Sequence, residues 1–493
     1  MSRPAEASPE SPANAESAVS HALVGADALM FRYEGCCIPY VCTAKAWVAA
    51  GAPLGPPAQA AAAIAAFVEQ AAQRGLRACF FAVEERALER VDGLKGLCIG
   101  WQGWWNPNCW GQTLATSASL RAQLRRARGK GLSIVAINPV DVAAATGPWR
   151  RPVAALVSRW LSSREMEPLR FVVQLEPSLV TWDESIHVLA AVQGENVIAV
   201  ARVVALPQRQ AWVLQDLLRL PNAPNGTSEL LIDAVMKLGQ RAQEPYQVRE
   251  VSLGMVPLFG DVPRPLRTIA AVTRGLFNFS GLHKFKQKLQ PHRREAVFIA
   301  YPFDPGKPSA MVAGAAIVDV LRAFAGGPLW RFALRTFFRG PRLALHALAW
   351  LLLPWTALLA LAAPPYWFPR PWVRWAWSLF DVALTIGFFW WRSEHRRLWL
   401  RLLTFAVGVD AVATTAQIAI ADLPRIHDVP HTIACGVAFV GPWLALTLLL
   451  RALHRTRAVR RNPILRIDLP PSITIPGGAA PRQESRVSSH PAR

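Results

Sequence analysis

The stretch Phe277-Asn-Phe-Ser-Gly-Leu-His-Lys-Phe-Lys-Gln-Lys-Leu-Gln-Pro-His-Arg-Arg-Glu-Ala-Val-Phe-Ile-Ala-Tyr-Pro302 decides how this chain divides. Its first half reads as a basic helix and its second half as an apolar strand that closes an α/β domain. A few residues further on, the composition turns into membrane. A basic site is therefore expected to lie directly against a lipid surface.

Working outward, the chain of 493 residues is long enough for two or three domains. Its formal net charge of +21 favours anionic partners, nucleic acid or anionic lipid. Charge alone does not choose between them. Many of the 20 tryptophans fall in the last third, as in interfacial aromatic belts. The seven cysteines are odd in number and irregular in spacing, and none forms a CxxC pair. No metal is expected, and the thiols read as small buried apolar groups of a reducing compartment. Residues 1–20, rich in Ala, Ser, Pro and Glu, lack an apolar run and read as a disordered N-terminus, as does a tail over 462–493.

Four apolar stretches, at 343–363, 371–391, 398–420 and 432–450, approach the ~20 residues needed to cross a bilayer. They define a transmembrane region over 343–452. Arginines gather before the first stretch (Arg331, Arg335, Arg339, Arg342), between the second and third (Arg392, Arg396, Arg397), and after the fourth. This asymmetry predicts a multi-pass protein of the inner membrane, with its soluble domain and both termini cytoplasmic. Asp381 and Asp410 fall inside the predicted spans. Such acids are costly in lipid, and pairing with Arg374, Arg401 or a neighbouring helix is the expectation. Between 306 and 342, aromatic residues interleave with Arg322, Arg331, Arg335 and Arg339. This is an interfacial connector, broken at Gly326-Gly327-Pro328.

Residues 21–305 alternate strand and helix patterns, which implies α/β layers. Strands are expected at 28–33, 38–42, 78–83, 132–138, 171–174, 187–193, 196–206, 211–218, 251–255 and 296–301. Helices are expected at 57–73, 117–128 and 227–241. Two similar units, 21–160 and 161–305, are expected. In the second, a strand ends in Asp216-Leu-Leu-Arg219. A turn, Pro224-Asn225-Gly226, then leads into a helix capped by Thr227 or Ser228. Free N–H groups at such a start hold a phosphate or carboxylate, or the turn is an ordinary connection.

Several motifs in order carry a resemblance. Asp216-x-x-Arg219, Pro224-Asn-Gly-Thr-x-Glu-Leu-Leu, Leu253-Gly-Met-x-Pro-Leu and Phe279-x-Gly-Leu-x-x-Phe-Lys-x-Lys-Leu-x-Pro resemble the catalytic domain of the phosphatidylglycerol lysyltransferase (lysyl-phosphatidylglycerol synthase) family. The match spans roughly 165–302. Phe31-Arg-Tyr, Cys98-Ile-Gly and Leu120-Arg-Ala-Gln-Leu-Arg-Arg-Ala-Arg-Gly-Lys-Gly131 extend it more loosely to about residue 25. The resemblance implies tandem acetyltransferase-like (GNAT-type) units. It also implies transfer of an aminoacyl group, lysyl or similar, from aminoacyl-tRNA to a lipid headgroup such as phosphatidylglycerol, without a cofactor. Asp216 and Arg219 would be catalytic. Asp216 would hold the amino group or help deprotonate the acceptor hydroxyl, and Arg219 would meet a phosphate or the ester oxyanion. Asn225, Gly226, Thr227, Lys286, Lys288 and Arg293 would bind substrate, either tRNA or the phosphate of an anionic phospholipid.

Two departures from that family stand out. Its members commonly carry membrane helices ahead of this domain, serving product flipping. Here the spans follow it, so flipping is not expected. The segment containing Trp101, Trp104, Trp105 and Trp110 reads either as a stacking surface for lipid or bases or as packing between the units. Two other readings stand beside the aminoacyl transferase. One is an acyltransferase using an acyl thioester, with its pyrophosphate at the Asn225–Thr227 turn. The other is an inactive membrane-tethered binding protein.

Overall fold

The computed structural model describes residues 28–164, 166–171, 185–242, 247–272, 278–339, 341–389, 396–426 and 428–461. Both expected disordered ends, and nearly all of the strand expected at 171–174, lie outside these. Among the described residues, one mixed sheet of eleven strands dominates the part of the chain before the apolar helices. In chain order they are β1 (Leu29–Tyr33), β2 (Cys36–Cys42), β3 (Ala46–Ala50), β4 (Arg77–Glu84), β5 (Leu94–Trp105), β6 (Leu132–Ile137), β7 (Ile186–Gln193), β8 (Asn196–Leu206), β9 (Ala211–Arg219), β10 (Glu250–Pro257) and β11 (Arg293–Pro302). Their order across the sheet is β1-β2-β3-β4-β11-β5-β10-β9-β8-β7-β6. The sheet is continuous across residue 160. Late strand β11 lies between early strands β4 and β5, while early strand β6 pairs with β7.

The central strands read as apolar runs because both their faces are covered. In β8 every residue after Asn196 is buried. Helix α1 (Ala60–Gln73) buries Ala63, Ile64, Phe67 and Ala71, a single stripe at helical spacing. Helices α2 (Ala118–Gly129), α3 (Arg150–Ser162) and α4 (Thr227–Arg241) bury theirs against β6–β9. Helix α5 (Phe279–Lys288) precedes β11.

The tryptophan-rich segment is mostly β5, with Trp101, Trp104, Trp105 and Trp110 all buried. Of the two readings open in the sequence, packing is the one observed. Each of three indoles donates inward: Trp104 to Glu295, Trp105 to the Leu289 carbonyl and Trp110 to Asp233.

Beyond β11, α6 (Ser309–Ala325) docks on the sheet. It buries Ala313, Ala316, Val320 and Ala323 against Phe81, Ile299 and Tyr301. The buried Asp319 forms a two-pronged pair with Arg77 at 2.8 and 2.9 Å. The first half of the expected interfacial connector therefore belongs to the domain core. Gly326, at φ +62°, ends α6, and α7 (Leu329–Arg339) turns away by 54°.

Among the described residues, three helices are long and apolar enough to cross a membrane: Leu345–Ala362, Leu398–Asp422 and Val429–His454. They belong to α8 (Pro341–Ala357), α10 (Arg396–Gln417) and α11 (Val429–Arg461), the first two prolonged by π-helical turns at Leu358–Ala362 and Ile418–Asp422. The expected second span is a continuous helix, α9 (Pro371–Phe389), but it falls short of the other three in hydropathy. Its tryptophans, Arg374 and Asp381 lower the average. It nevertheless turns Trp372, Trp375, Leu379, Val382 and Ile386 outward, an apolar face suited to lipid. The bent pair α6–α7 is also apolar enough to span, but α6 already spends its apolar face on the sheet.

Candidate functional site

Strands β9 and β10 run parallel for only three residue pairs, ending at Ser252↔Val213, and then separate. Both are irregular where they part. Opposite β8, Leu214 pairs with Val203 and Asp216 with Arg202, so Gln215 is an extra residue. Opposite β5, Ser252 pairs with Trp104 and Met255 with Gln102, so β10 carries one too. Bulges of this kind re-aim side chains and cluster beside active sites. The two adjoin: a Cβ built on Gly254 would stand 3.8 Å from the Leu214 carbonyl oxygen. Gly254 itself holds φ +77°, a conformation that side-chain-bearing residues rarely adopt.

Asp216 sits on the β9 side of this split. Its Oδ2 accepts from Arg202 Nε at 2.6 Å and Nη2 at 2.5 Å. Arg202 is buried within an otherwise apolar strand, where its charge requires a partner. Burial pushes the Asp216 carboxyl above its ordinary range, and the Arg202 guanidinium opposes that shift. Arg219, three residues on, is exposed at the end of β9 and does not pair with Asp216. Its neighbour is a second cation, Arg164, stacked over the Trp160 ring at 4.3 Å.

Lys286 occupies the β10 side. It is buried, and its Nζ donates to the Gly254 carbonyl at 2.8 Å and to the Met255 carbonyl at 3.0 Å. Burial pushes its pKa down to about 7. A neutral amine has two N–H bonds and one lone pair. The two carbonyls use both donors, which leaves the lone pair available for a proton. Gly254 is also the near neighbour of Nζ, which lies 3.9 Å from the position a Cβ would take.

Most of the remaining sequence candidates have partners outside the split. Gly226 lies against α2, where an added Cβ would fall 2.3 Å from the Gln123 carbonyl oxygen. Thr227 is fully buried, and its hydroxyl donates to the Pro224 carbonyl at 2.6 Å. Asn225 is exposed beside them. The glycine of this helix start serves close packing on the neighbouring helix. Lys288 reaches Gln123 at 2.5 Å and Glu229 at 3.6 Å, tying α5 to α2 and α4. Arg293 grips Glu250 through two nitrogens and also meets Glu295 at 3.1 Å.

Glu295 belongs to a buried ionic cluster that joins the two halves of the sheet. Arg209 binds Glu84 at 2.6 Å and Glu295 at 3.0 Å, and lies 3.4 Å over the Trp104 ring. These partners come from β4, β5, the β8–β9 turn and β11, so only assembly of the sheet brings them together.

A cavity of about 320 Å³ opens past the end of β10, between Leu258–Gly260, Arg267, Ala271 and the start of α5 at Phe279 and Ser280. The Phe259 ring stacks on His283 at 4.3 Å, and Arg294 covers Trp101 at 4.9 Å. His283 Nδ1 is buried and has no hydrogen-bond partner among the described residues. Helix α5 thus borders the cavity with its first turn and reaches the strand split with Lys286. No group of metal-binding side chains occurs among the described residues.

Sequence reasoning missed Arg202, Arg164 and the Arg209 cluster. An arginine inside Val-Ile-Ala-Val-Ala-Arg202-Val-Val was a visible signal, since a buried charge must be matched.

The phosphatidylglycerol lysyltransferase C-terminal profile matches residues 12–301. The C-terminal domain of a candidate lysylphosphatidylglycerol synthetase from Agrobacterium fabrum is similar in structure, with TM-score 0.53 and 22% identity. The similarity covers 63% of this chain and 94% of that one. L-PGS from Bacillus licheniformis is similar with TM-score 0.50 and 17% identity, covering 60% of this chain and 89% of its own. No match was found among curated proteins. The α/β domain followed by apolar helices is the architecture expected from the sequence.

Proposed function

The chain belongs to the phosphatidylglycerol lysyltransferase C-terminal family, and from that premise we propose that it transfers an aminoacyl group from aminoacyl-tRNA to a hydroxyl of a lipid headgroup, phosphatidylglycerol being the simplest acceptor. The observation that carries this reading is the split between β9 and β10, with a paired carboxylate on one wall and a buried amine with a free lone pair on the other.

The acceptor hydroxyl oxygen attacks the carbonyl carbon of the aminoacyl ester. The bond from that carbon to the ribose oxygen then breaks. One proton leaves the acceptor hydroxyl and one reaches the ribose oxygen, so a single group of pKa near neutrality serves both steps. Lys286 suits that exchange. Asp216, held by Arg202, receives the ammonium of the aminoacyl group. Arg219 and Arg164 face the phosphate of the lipid or of the tRNA end, as permanently charged donors do. The exchange replaces one ester by another and draws mainly on orientation and charge stabilisation.

The tRNA body has a natural platform in α2, where Arg125, Arg126 and the following Lys130 are exposed. The cavity beside Phe259 and His283 suits a stacked terminal base. Three to four apolar helices suggest a membrane protein. We read them as an inner-membrane anchor with the sheet on the cytoplasmic side, from the arginine asymmetry. The thioester reading would place a pyrophosphate at the Asn225–Thr227 turn, where Gly226 packs on α2.

The test is an assay with purified full chain, phosphatidylglycerol vesicles and tRNA charged with labelled amino acid. Labelled lipid should form, vanish with RNase, and fall at least 100-fold in Arg219→Ala. Labelled lipid formed at full rate after RNase, or with unchanged rate in Arg219→Ala, overturns the reading.

A further inference from the structure

A second cavity lies not in the sheet but within the apolar bundle. It measures about 490 Å³, inside the range of about 300–1,000 Å³ typical of ligand pockets. All four helices α8–α11 line it, together with both π-helical turns. Single π-turns inside helices are rare and recur at functional sites.

Its walls are apolar, yet Asp381, Asp410 and Asp422 all reach it, and no lysine or arginine among the described residues does. All three acids are buried. Asp422 accepts from Gln417 at 3.2 Å. Arg374 donates to the Ala360 carbonyl, and the side-chain bond seen at Asp410 comes from Thr414 at 3.2 Å. No ion pair to Asp381 or Asp410 occurs among the described residues. A second, independent feature points to an occupant. His431, only 2% exposed, lines the same cavity, and its Nδ1 has no hydrogen-bond partner among the described residues. Its ring is stacked flat on Trp367 at 5.2 Å, so its position is set by packing.

Asp381 and Asp410, buried in an apolar shell with no ion pair among the described residues, are costly unless a positive group joins them. We propose that this cavity binds the ammonium-bearing head of a membrane amphiphile, with the carboxylates and His431 on the polar head and the leucine and tryptophan walls on its apolar part. An aminoacylated lipid is the amphiphile of that chemistry which the chain itself would produce. Naming it rests on the function proposed above, whereas the ammonium chemistry rests on the cavity alone. An aromatic ring face such as Trp367 also favours a cation over a neutral head.

The experiment uses the purified full chain in detergent micelles. Binding of dodecylamine, dodecanoate, phosphatidylglycerol and lysyl-phosphatidylglycerol is measured for wild type and for Asp381→Asn/Asp410→Asn. Dodecylamine and lysyl-phosphatidylglycerol should bind, dodecanoate and phosphatidylglycerol at least 10-fold more weakly, and the double variant should lose at least 10-fold for both ammonium ligands. Cys435 also lines the cavity. In the wild type, dodecylamine should therefore slow its alkylation by N-ethylmaleimide, followed residue by residue by mass spectrometry. That arm stands even where the double variant fails to fold. Unchanged alkylation of Cys435 at saturating dodecylamine, or equal binding of dodecanoate, sinks the site. Dodecylamine binding without lysyl-phosphatidylglycerol binding overturns the lipid assignment. A chain that binds dodecylamine but makes no labelled lipid from charged tRNA overturns the proposed reaction and leaves the site standing.

Discussion

At the scale of single residues, two buried charges define the split between β9 and β10. Arg202 and Asp216 compensate one another, so removing one strands the other. Asp216→Ala should cost about 3–5 kcal/mol of stability, whereas Arg202→Met/Asp216→Leu should recover most of it. Urea midpoints of the three chains test this, and only wild type should form labelled lipid. Lys286 gives a pH signature. Its folded pKa, near 7, lies below the ordinary lysine value, so the unfolded chain takes up its proton first as pH falls. Wild-type stability should therefore fall from about pH 10 to about pH 7 and then level off. Lys286→Met should lack that slope in thermal melts taken across the range. The rate of wild-type transfer should rise with a midpoint near pH 7, and the variant should lose the rising limb.

Helix positions exposed a different limit of sequence reading. The turn before α4 was visible, with its glycine and capping threonine, but its use was not. Gly226 has φ +94° and no space for a Cβ beside Gln123. Gly226→Ala should cost more than the ~1 kcal/mol of an unstrained exchange, and it should separate α4 from α2. A lowered melting temperature with faster amide exchange in both helices is the expected readout. Helix α6 teaches the converse. Its composition suggested a segment lying on lipid, yet Asp319 and the small residues Ala313, Ala316 and Ala323 fit it onto the sheet. A chain ended after Gly327 should stay soluble. One ended after Gly306 should aggregate, because Phe81 and Tyr301 lose their cover. Light scattering of the two truncations separates these outcomes.

In the whole molecule, strand exchange makes the two halves depend on each other. Since β11 separates β4 from β5, residues 28–164 produced alone should not fold, and their amide spectrum should show little dispersion. With tRNA as the donor proposed above, the many exposed arginines should make its association depend on salt. The logarithm of the binding constant should fall linearly with that of salt concentration. Replacing Arg125 and Arg126 by Ala should flatten the slope by about 1–2, at unchanged melting temperature.

The sequence by itself determined the alternation of strand and helix, the apolar helices that follow it, and the ordered motifs of the family. Each of these is local: periodicity, turn chemistry and short spacings are legible wherever they occur. Tertiary structure alone decided that Asp216 pairs with Arg202 rather than Arg219, that Lys286 is buried at a bulge, that the tryptophans of β5 are core, and that acids of the apolar helices converge on one cavity. Those facts depend on which strand lies beside which and on where each register slips. Contacts such as Trp104 to Glu295, 191 residues apart, are set by the strand order of the sheet and leave no periodic trace in the chain.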